Sequence, residues 1–154
     1  MDAVLVFIDG TICDTRRRNH LFGSPDFYSD ENIMNDTPTK GSIGCMKELS
    51  NKYTLIYIGA RPKKYRNITK EWLKKSGFPE GAVYLGQTIE ERLNIVKELK
   101  ERYSFRVGIG DRWDDNELHL VLGCMSIILK EYEPNWDTVR KYVKSSELDY
   151  DGTA

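Results

Sequence analysis

Covalent cross-linking has little to work with in these 154 residues: there are three cysteines, Cys13, Cys45 and Cys124, far apart and forming no CxxC pair. An odd, scattered set argues against a disulfide framework or a zinc site and suits a reducing cytoplasm. Histidine is scarcer still, with only His20 and His119, and neither has a partner at metal-ligand spacing. An excess of charge is missing too. Twenty-three Lys and Arg against 24 Asp and Glu leave a formal −1, so no global field draws in nucleic acid or an anionic membrane, and any phosphate recognition must be local. Long hydrophobic runs are absent: the longest early one, Ala3 to Ile8, stops at Asp9 without a basic lead-in, and is expected to be neither signal peptide nor membrane anchor. What remains, 40% hydrophobic, 31% charged and 11% aromatic, is the composition of one folded soluble domain. That domain is expected over 1–145, with a polar, fraying tail at 146–154.

Val4 to Ile8 is apolar at every position, the pattern of a central strand covered on both faces, and Asp9-Gly10-Thr11 ends it with turn chemistry. The grammar repeats at Tyr53 to Ile58, Ala82 to Leu85, Phe105 to Ile109 and Met125 to Leu129. Between these runs lie helical stripes: Ile43, Met46 and Leu49; Tyr65, Ile68, Trp72 and Leu73; Ile89, Leu93, Val96 and Leu99; Leu118, Val121 and Leu122; Trp136, Val139 and Val143. Thr88 with Glu91 has the spacing of a capping box. Such alternation predicts an α/β, Rossmann-like, doubly wound domain with helices on both faces of a five-stranded parallel sheet, the Val4 strand in its centre. The stretch from Asp14 to Lys40 lacks sustained periodicity and reads as a long irregular connection of the kind that is usually functional.

Ligands of doubly wound sheets sit beyond the carboxyl ends of the strands, near the point where strand order reverses. The residues expected there are Asp9, Gly10 and Thr11, then Gly59, Ala60 and Arg61, then Gly86, and finally Asp111, Asp114 and Asp115. Two acidic clusters and an arginine arriving from separate strands suit a hydrated magnesium ion and a phosphate. Asp114 suits capping of the helix that starts beside it, which leaves Asp111 and Asp115 as the ligand candidates. Arg16-Arg17-Arg18 reads as solvated loop charge or as a phosphate contact at the rim, His119 as a packing or surface residue, and Cys13 as a thiol packed beside the strand end without activating basic neighbours.

With these motifs in view, the chain resembles the haloacid dehalogenase superfamily of phosphotransferases from about Val4 to Leu129. Ile8-Asp9-Gly10-Thr11 is similar to the family's first motif, Asp-x-Asp-Gly-Thr, and Gly110-Asp111-Arg112-Trp113-Asp114-Asp115 to its fourth. Ile58-Gly59-Ala60-Arg61-Pro62 with Arg66, Thr69, Trp72-Leu73 and Gly77-Phe78-Pro79 is similar to capless members such as the phosphatase half of polynucleotide kinase. The resemblance implies magnesium at Asp9, Asp111 and Asp115, Asp9 in the acid/base position, and phosphate contacts from Thr11, Gly59, Ala60, Arg61 and Arg92. Arg92 enters as the stand-in for the third motif's Lys because it lies near a helix start.

Two departures qualify it. The family's nucleophilic Asp lies two residues before its acid/base Asp, and here that position is Phe7, which neither attacks phosphorus nor binds a cation. The second motif's phosphate-binding Thr or Ser is replaced by Gly59. Three readings therefore stand side by side. One is a protein that binds a phosphorylated small molecule or phosphate end with incomplete machinery; another is an active magnesium-dependent phosphomonoesterase using Asp9 and Asp111; the third is a protein-interaction module built on the 14–40 loop.

Overall fold

A computed structural model describes residues 2–152, with side chains as far as residue 148. Seven strands and six α-helices follow one another as β1 (Ala3–Phe7), β2 (Cys13–Asp14), α1 (Asp30–Met34), β3 (Thr37–Pro38), α2 (Ser42–Ser50), β4 (Thr54–Gly59), α3 (Arg66–Ser76), β5 (Ala82–Leu85), α4 (Ile89–Lys100), β6 (Phe105–Gly110), α5 (Trp113–Leu122), β7 (Met125–Ile128) and α6 (Trp136–Gly152). Short 3-10 turns cover Arg16–Leu21 and Lys63–Tyr65.

The main sheet has five strands in the order β5-β4-β1-β6-β7, all parallel, with β1 in the middle. The chain moves from β1 outward through β4 to β5, then returns to the other side of β1 for β6 and β7, so strand order reverses between β1 and β6. The β1 side chains alternate between two apolar layers. Val4, Val6 and Ile8 pack with Met46 of α2, Trp72 of α3 and Val139 of α6; Ala3, Leu5 and Phe7 pack with Val96 of α4 and Leu118 of α5. That two-sided cover explains the uninterrupted apolar run, since every β1 position is withdrawn from water. Each such large side chain contributes about 1.5–3 kcal/mol on full burial.

Helix ends follow the local chemistry. Gly77 closes α3 in the left-handed conformation with φ 98°. The Thr88 hydroxyl accepts the Glu91 N–H at 3.1 Å, while the Glu91 carboxylate reaches the N–H of Gln87 rather than that of Thr88, at 3.0 Å. The expected box is therefore displaced by one residue.

The 14–40 connection is more ordered than its sequence suggests. Its ends are joined by the antiparallel β2–β3 ribbon, pairing Cys13 with Pro38 and Asp14 with Thr37, and α1 packs beside α3. α6 continues as far as Gly152, so most of the 146–154 segment set apart as a fraying tail is helical; its last two residues lie outside the described residues. Glu147 on α6 accepts hydrogen bonds from the Tyr53 hydroxyl and, at 3.2 Å, from Lys52, which ties the helix to the body.

Candidate active site

The turn after β1 turns tightly because the Ile8 carbonyl accepts the N–H groups of Thr11, Ile12 and Cys13 in succession. Gly10 holds φ 89°, and a Cβ there would lie 2.5 Å from Asp111 Oδ2, so only glycine lets the first and fourth motifs meet. The Thr11 hydroxyl donates to Asp111 Oδ1 at 2.8 Å. Asp9, Arg61 and Asp111 thus gather at the strand ends, as expected from the sequence.

Asp9 and Arg61 are joined directly. Arg61 Nε donates to Asp9 Oδ2 at 3.1 Å and Arg61 NH2 to Asp9 Oδ1 at 2.7 Å, a two-pronged clasp. Arg61 NH1 donates to the Thr69 hydroxyl at 2.8 Å, so each nitrogen of this buried guanidinium already donates to a side-chain oxygen of the protein. The Asp9 side chain keeps 26% exposure. Burial alone would raise its carboxyl, but the charge and hydrogen bonds of Arg61 outweigh that and hold it below the usual carboxylate range. Asp9 therefore stands ionised at neutral pH, with both oxygens engaged.

Behind this clasp lies a second ion pair that the sequence did not reveal. Arg18, which the sequence reading placed at the rim or in solvent, is fully buried. Its Nε and NH2 donate to Asp36 at 2.9–3.1 Å, and its NH1 donates to the Phe27 carbonyl at 2.9 Å. Asp36 also lies 3.6 Å from Arg61 NH2 and accepts from Cys13 Sγ at 3.3 Å. Cys13 has a basic neighbour after all, with Arg61 NH2 3.6 Å from its sulfur. Its thiol is nevertheless raised well above the ordinary value, by burial first and then by the nearby carboxylates. Arg16 and Arg17 remain outside, on Asp14 and Asn32.

At the end of β6 the two candidate ligands behave differently. Asp115, not Asp114, caps α5: its Oδ2 accepts the N–H groups of Asp111 at 2.9 Å and Arg112 at 3.1 Å. Asp114 turns to Arg92 NH2 at 3.7 Å. An acidic residue three places after the helix cap was the available signal for Asp115. Asp111 Oδ2 and Asp115 Oδ1 are buried without a hydrogen-bond partner. Burial pushes the Asp111 carboxyl up to about 7 against its Thr11 hydrogen bond, and that of Asp115 up to about 6 against its two backbone donors. His119 is buried with Nδ1 2.7 Å from the Ser126 hydroxyl, and burial lowers it to about 4, a packing residue as expected.

These two carboxyls make stability depend on pH in a defined direction. In the folded chain they hold protons up to pH 6–7 that the unfolded chain releases near pH 4. Their favourable contribution is present below about pH 4 and lost as pH rises through 6 and 7. Asp111→Asn, which keeps an acceptor for Thr11 and removes the charge, is expected to raise stability by about 1–3 kcal/mol more at pH 8 than at pH 4. Thermal melts at the two pH values in a chelator check this, and equal effects at both would contradict it.

Residues predicted for phosphate divide into two groups. A cleft of about 450 Å³ opens beyond the strand ends, walled by Phe7, Asp9, Ala60, Arg92 and Asp115, and by residues to which the sequence assigned no role, including Phe22, Phe27, Tyr28, Gln87, Arg112 and Tyr132. Thr11, Gly59, Arg61 and Asp111 lie behind that wall. Gly59 is a close-packing position: a Cβ there would lie 3.2 Å from Leu85 Cδ2 and 3.3 Å from Ile8 Cδ1. Phe7 is 5% exposed, packed in the α4–α5 layer with its ring 6.0 Å from the Arg92 guanidinium. Arg92 NH1 donates to the Gly86 carbonyl at 2.8 Å, while its Nε is buried without a partner. Tyr132 adopts φ 64°, a strained value for a tyrosine. Its N–H donates to the Gly10 carbonyl at 2.7 Å and its hydroxyl meets Thr15 at 3.0 Å and Asn19 at 2.9 Å, tying the 14–40 loop to the first motif.

Magnesium asks for several hard oxygens in near-octahedral order. Asp111 and Asp115 offer one unpartnered oxygen each, a phenyl ring stands at the place of the family's first carboxylate, and among the described residues no group of three or more His, Cys, Asp or Glu could hold a metal ion. The residues present do not fit the family's magnesium.

No known protein-family profile matches the chain. Over 72 residues, 45% of the chain, it is 33% identical to a "Putative nucleotidase" of Bacillus cereus, a stretch that spans 38% of that relative. A chain of the Pnkp1/Rnl/Hen1 RNA repair complex superposes on 84% of this one with a TM-score of 0.67 and 17% identity; the match spans 42% of that chain. A haloacid dehalogenase family hydrolase from Deinococcus radiodurans, solved with bound phosphate and sodium, matches at TM-score 0.64 and 12% identity over 96% of this chain and 97% of its own. With its central β1, its acidic strand ends and a parallel five-stranded sheet shared with these hydrolases, the chain has the haloacid dehalogenase fold.

Proposed function

We propose that the chain binds a phosphorylated ligand in the cleft beyond β1, β4 and β6 and turns it over little or not at all. Phe7 carries this reading. Its ring stands on the cleft wall two residues before Asp9, where the resemblance calls for the carboxylate that attacks phosphorus. The Arg61 clasp supports it, because an Asp9 held ionised through both oxygens has no proton to give a leaving group. Arg92, whose Nε is buried without a partner, and Arg112, beside Glu131 at 3.0 Å, line the same cleft and supply the groups that would face an anion. The ligand is a phosphorylated small molecule or a phosphate end, met in a reducing cytoplasm where Cys13, Cys45 and Cys124 stay free. No helix among the described residues is long and apolar enough to cross a membrane. One observation favours the rival esterase reading: the unpartnered oxygens of Asp111 and Asp115 are what a weakly held cation would use.

Phe7→Asp tests the assignment of this position. A carboxylate there adds the missing oxygen donor, and a ligand that binds only the folded state at 100 times its Kd stabilises it by about 2.7 kcal/mol. Magnesium is expected to raise the melting temperature of Phe7→Asp by about 5–10 °C and to leave the parent almost unmoved. Without metal the variant should be the less stable protein, since a buried, unpaired carboxylate costs several kcal/mol. A folded Phe7→Asp protein with no larger magnesium shift than the parent would remove the reason for calling the machinery incomplete.

A further inference from the structure

We infer that the ligand carries a flat aromatic ring, as a nucleoside monophosphate does, and that Phe22 is the residue that binds the ring; this rests on the phosphorylated-ligand reading above. Five aromatic side chains, Phe7, Phe22, Phe27, Tyr28 and Tyr132, line the 450 Å³ cleft, a volume within the range of small-ligand sites. Inorganic phosphate needs no such walls.

Phe22 stands apart from the other four. It is 78% exposed, a large apolar ring left in water at the cleft mouth. Phe27 meets it perpendicularly, with centroids 5.3 Å apart and planes at 86°. Whichever ring contributes its edge, at least one face of Phe22 stays open to a planar partner. The support beneath is rigid. Phe27 packs edge to face on Tyr28 at 4.7 Å, Tyr28 stacks on Tyr65 at 4.7 Å and 25°, and the buried Arg18 guanidinium lies 4.5 Å from the Phe27 ring while donating to its carbonyl. A platform fixed before binding loses little entropy when the ligand arrives.

The charged wall comes from other elements, with Arg92 3.7 Å from Asp114 and Arg112 3.0 Å from Glu131. Arg92 on α4 brings a buried guanidinium whose Nε has no partner, and Arg112 lines the cleft ahead of α5. Gln87 adds an amide that both donates and accepts. Ring contacts from the 14–40 loop and anion contacts from α4 and α5 describe a molecule with a base at one end and a phosphate at the other. The exposed Trp113 is not on the cleft wall and plays no part in this.

Calorimetric titration of the parent, Phe22→Ala and Phe22→Trp tests it, using the four common nucleoside 5′-monophosphates, ribose 5-phosphate and adenosine. Stacking of a base on an aromatic side chain is sensitive to alanine substitution, so at least one nucleotide is expected to bind the parent about tenfold or more tighter than ribose 5-phosphate. Phe22→Ala should lose about that factor for the nucleotide and leave ribose 5-phosphate unchanged, and Phe22→Trp should keep it. Ribose 5-phosphate binding as tightly as every nucleotide, or Phe22→Ala weakening both equally, would overturn the ring site while leaving the phosphorylated-ligand reading standing. Adenosine binding as tightly as AMP would instead overturn that reading and support Phe22 as the ring site. No binding by any of the six overturns both.

Discussion

Asp36→Ala is expected to lower the melting temperature by about 10 °C, the outcome of losing about 3–5 kcal/mol in a domain of this size. Asp36 is fully buried at its side chain and is the only carboxylate among the described residues that faces Arg18 at ion-pair distance. Without it, a guanidinium with no exposure keeps only the Phe27 carbonyl as acceptor, together with the Phe27 and Tyr28 rings at 4.5 and 5.7 Å. Leaving a buried charge unpaired is what makes the loss large. The pair as a whole is a different matter, because replacing both partners by apolar groups of similar volume is often neutral. The double variant Arg18→Met, Asp36→Leu should therefore recover much of the stability lost in Asp36→Ala. Melting curves decide this. A drop of under 3 °C for the single variant, or a double variant worse than the single, would contradict the account of this cluster. The same pair anchors the 14–40 loop, so Asp36→Ala should also weaken ligand binding at Phe22, which rests on Phe27.

Turnover carries the larger expected effect. Removing the nucleophile of a well-studied hydrolase lowers its turnover by on the order of a millionfold, with effects that do not add among groups acting together. Phe7 stands where the resemblance implies the nucleophile, Asp9 in the implied acid/base position is held ionised by Arg61, and Gly59, in place of the implied hydroxyl residue, packs against Leu85 and Ile8. Thr11 and Asp111 bond to each other, Arg61 is held by Asp9 and Thr69, and none of the three lines the cleft. The residual rate is expected near background, set by whatever the cleft does through binding alone.

Much of this was legible before any coordinates. Five apolar runs, four of them ending in glycine or Asp-Gly, pointed to five parallel strands with β1 central, because a strand buried on both faces is apolar throughout. Strand ends in such a sheet converge by topology, so Asp9, Arg61 and Asp111 could be brought together without knowing any distance. Side-chain direction was not legible. Arg18 looks like its neighbours Arg16 and Arg17, and its partner Asp36 lies in an Asn-Asp-Thr-Pro stretch that reads as a turn; burial is decided by the β2–β3 ribbon, too short to leave a periodic signal. Asp115 took the capping role expected of Asp114 for a reason that was available: the N3 position of α5 belongs to Asp115. The aromatic wall was missed because Phe22, Phe27 and Tyr28 share no helical or strand period, and only the fold of their loop places them at one cleft.

Hydrolysis of 4-nitrophenyl phosphate by highly purified protein, with and without magnesium, tests the central claim most directly. The account predicts a rate indistinguishable from background in the parent and in Asp9→Asn alike. Robust magnesium-dependent hydrolysis that Asp9→Asn abolishes would contradict it and make Asp9 the catalyst of a working phosphatase.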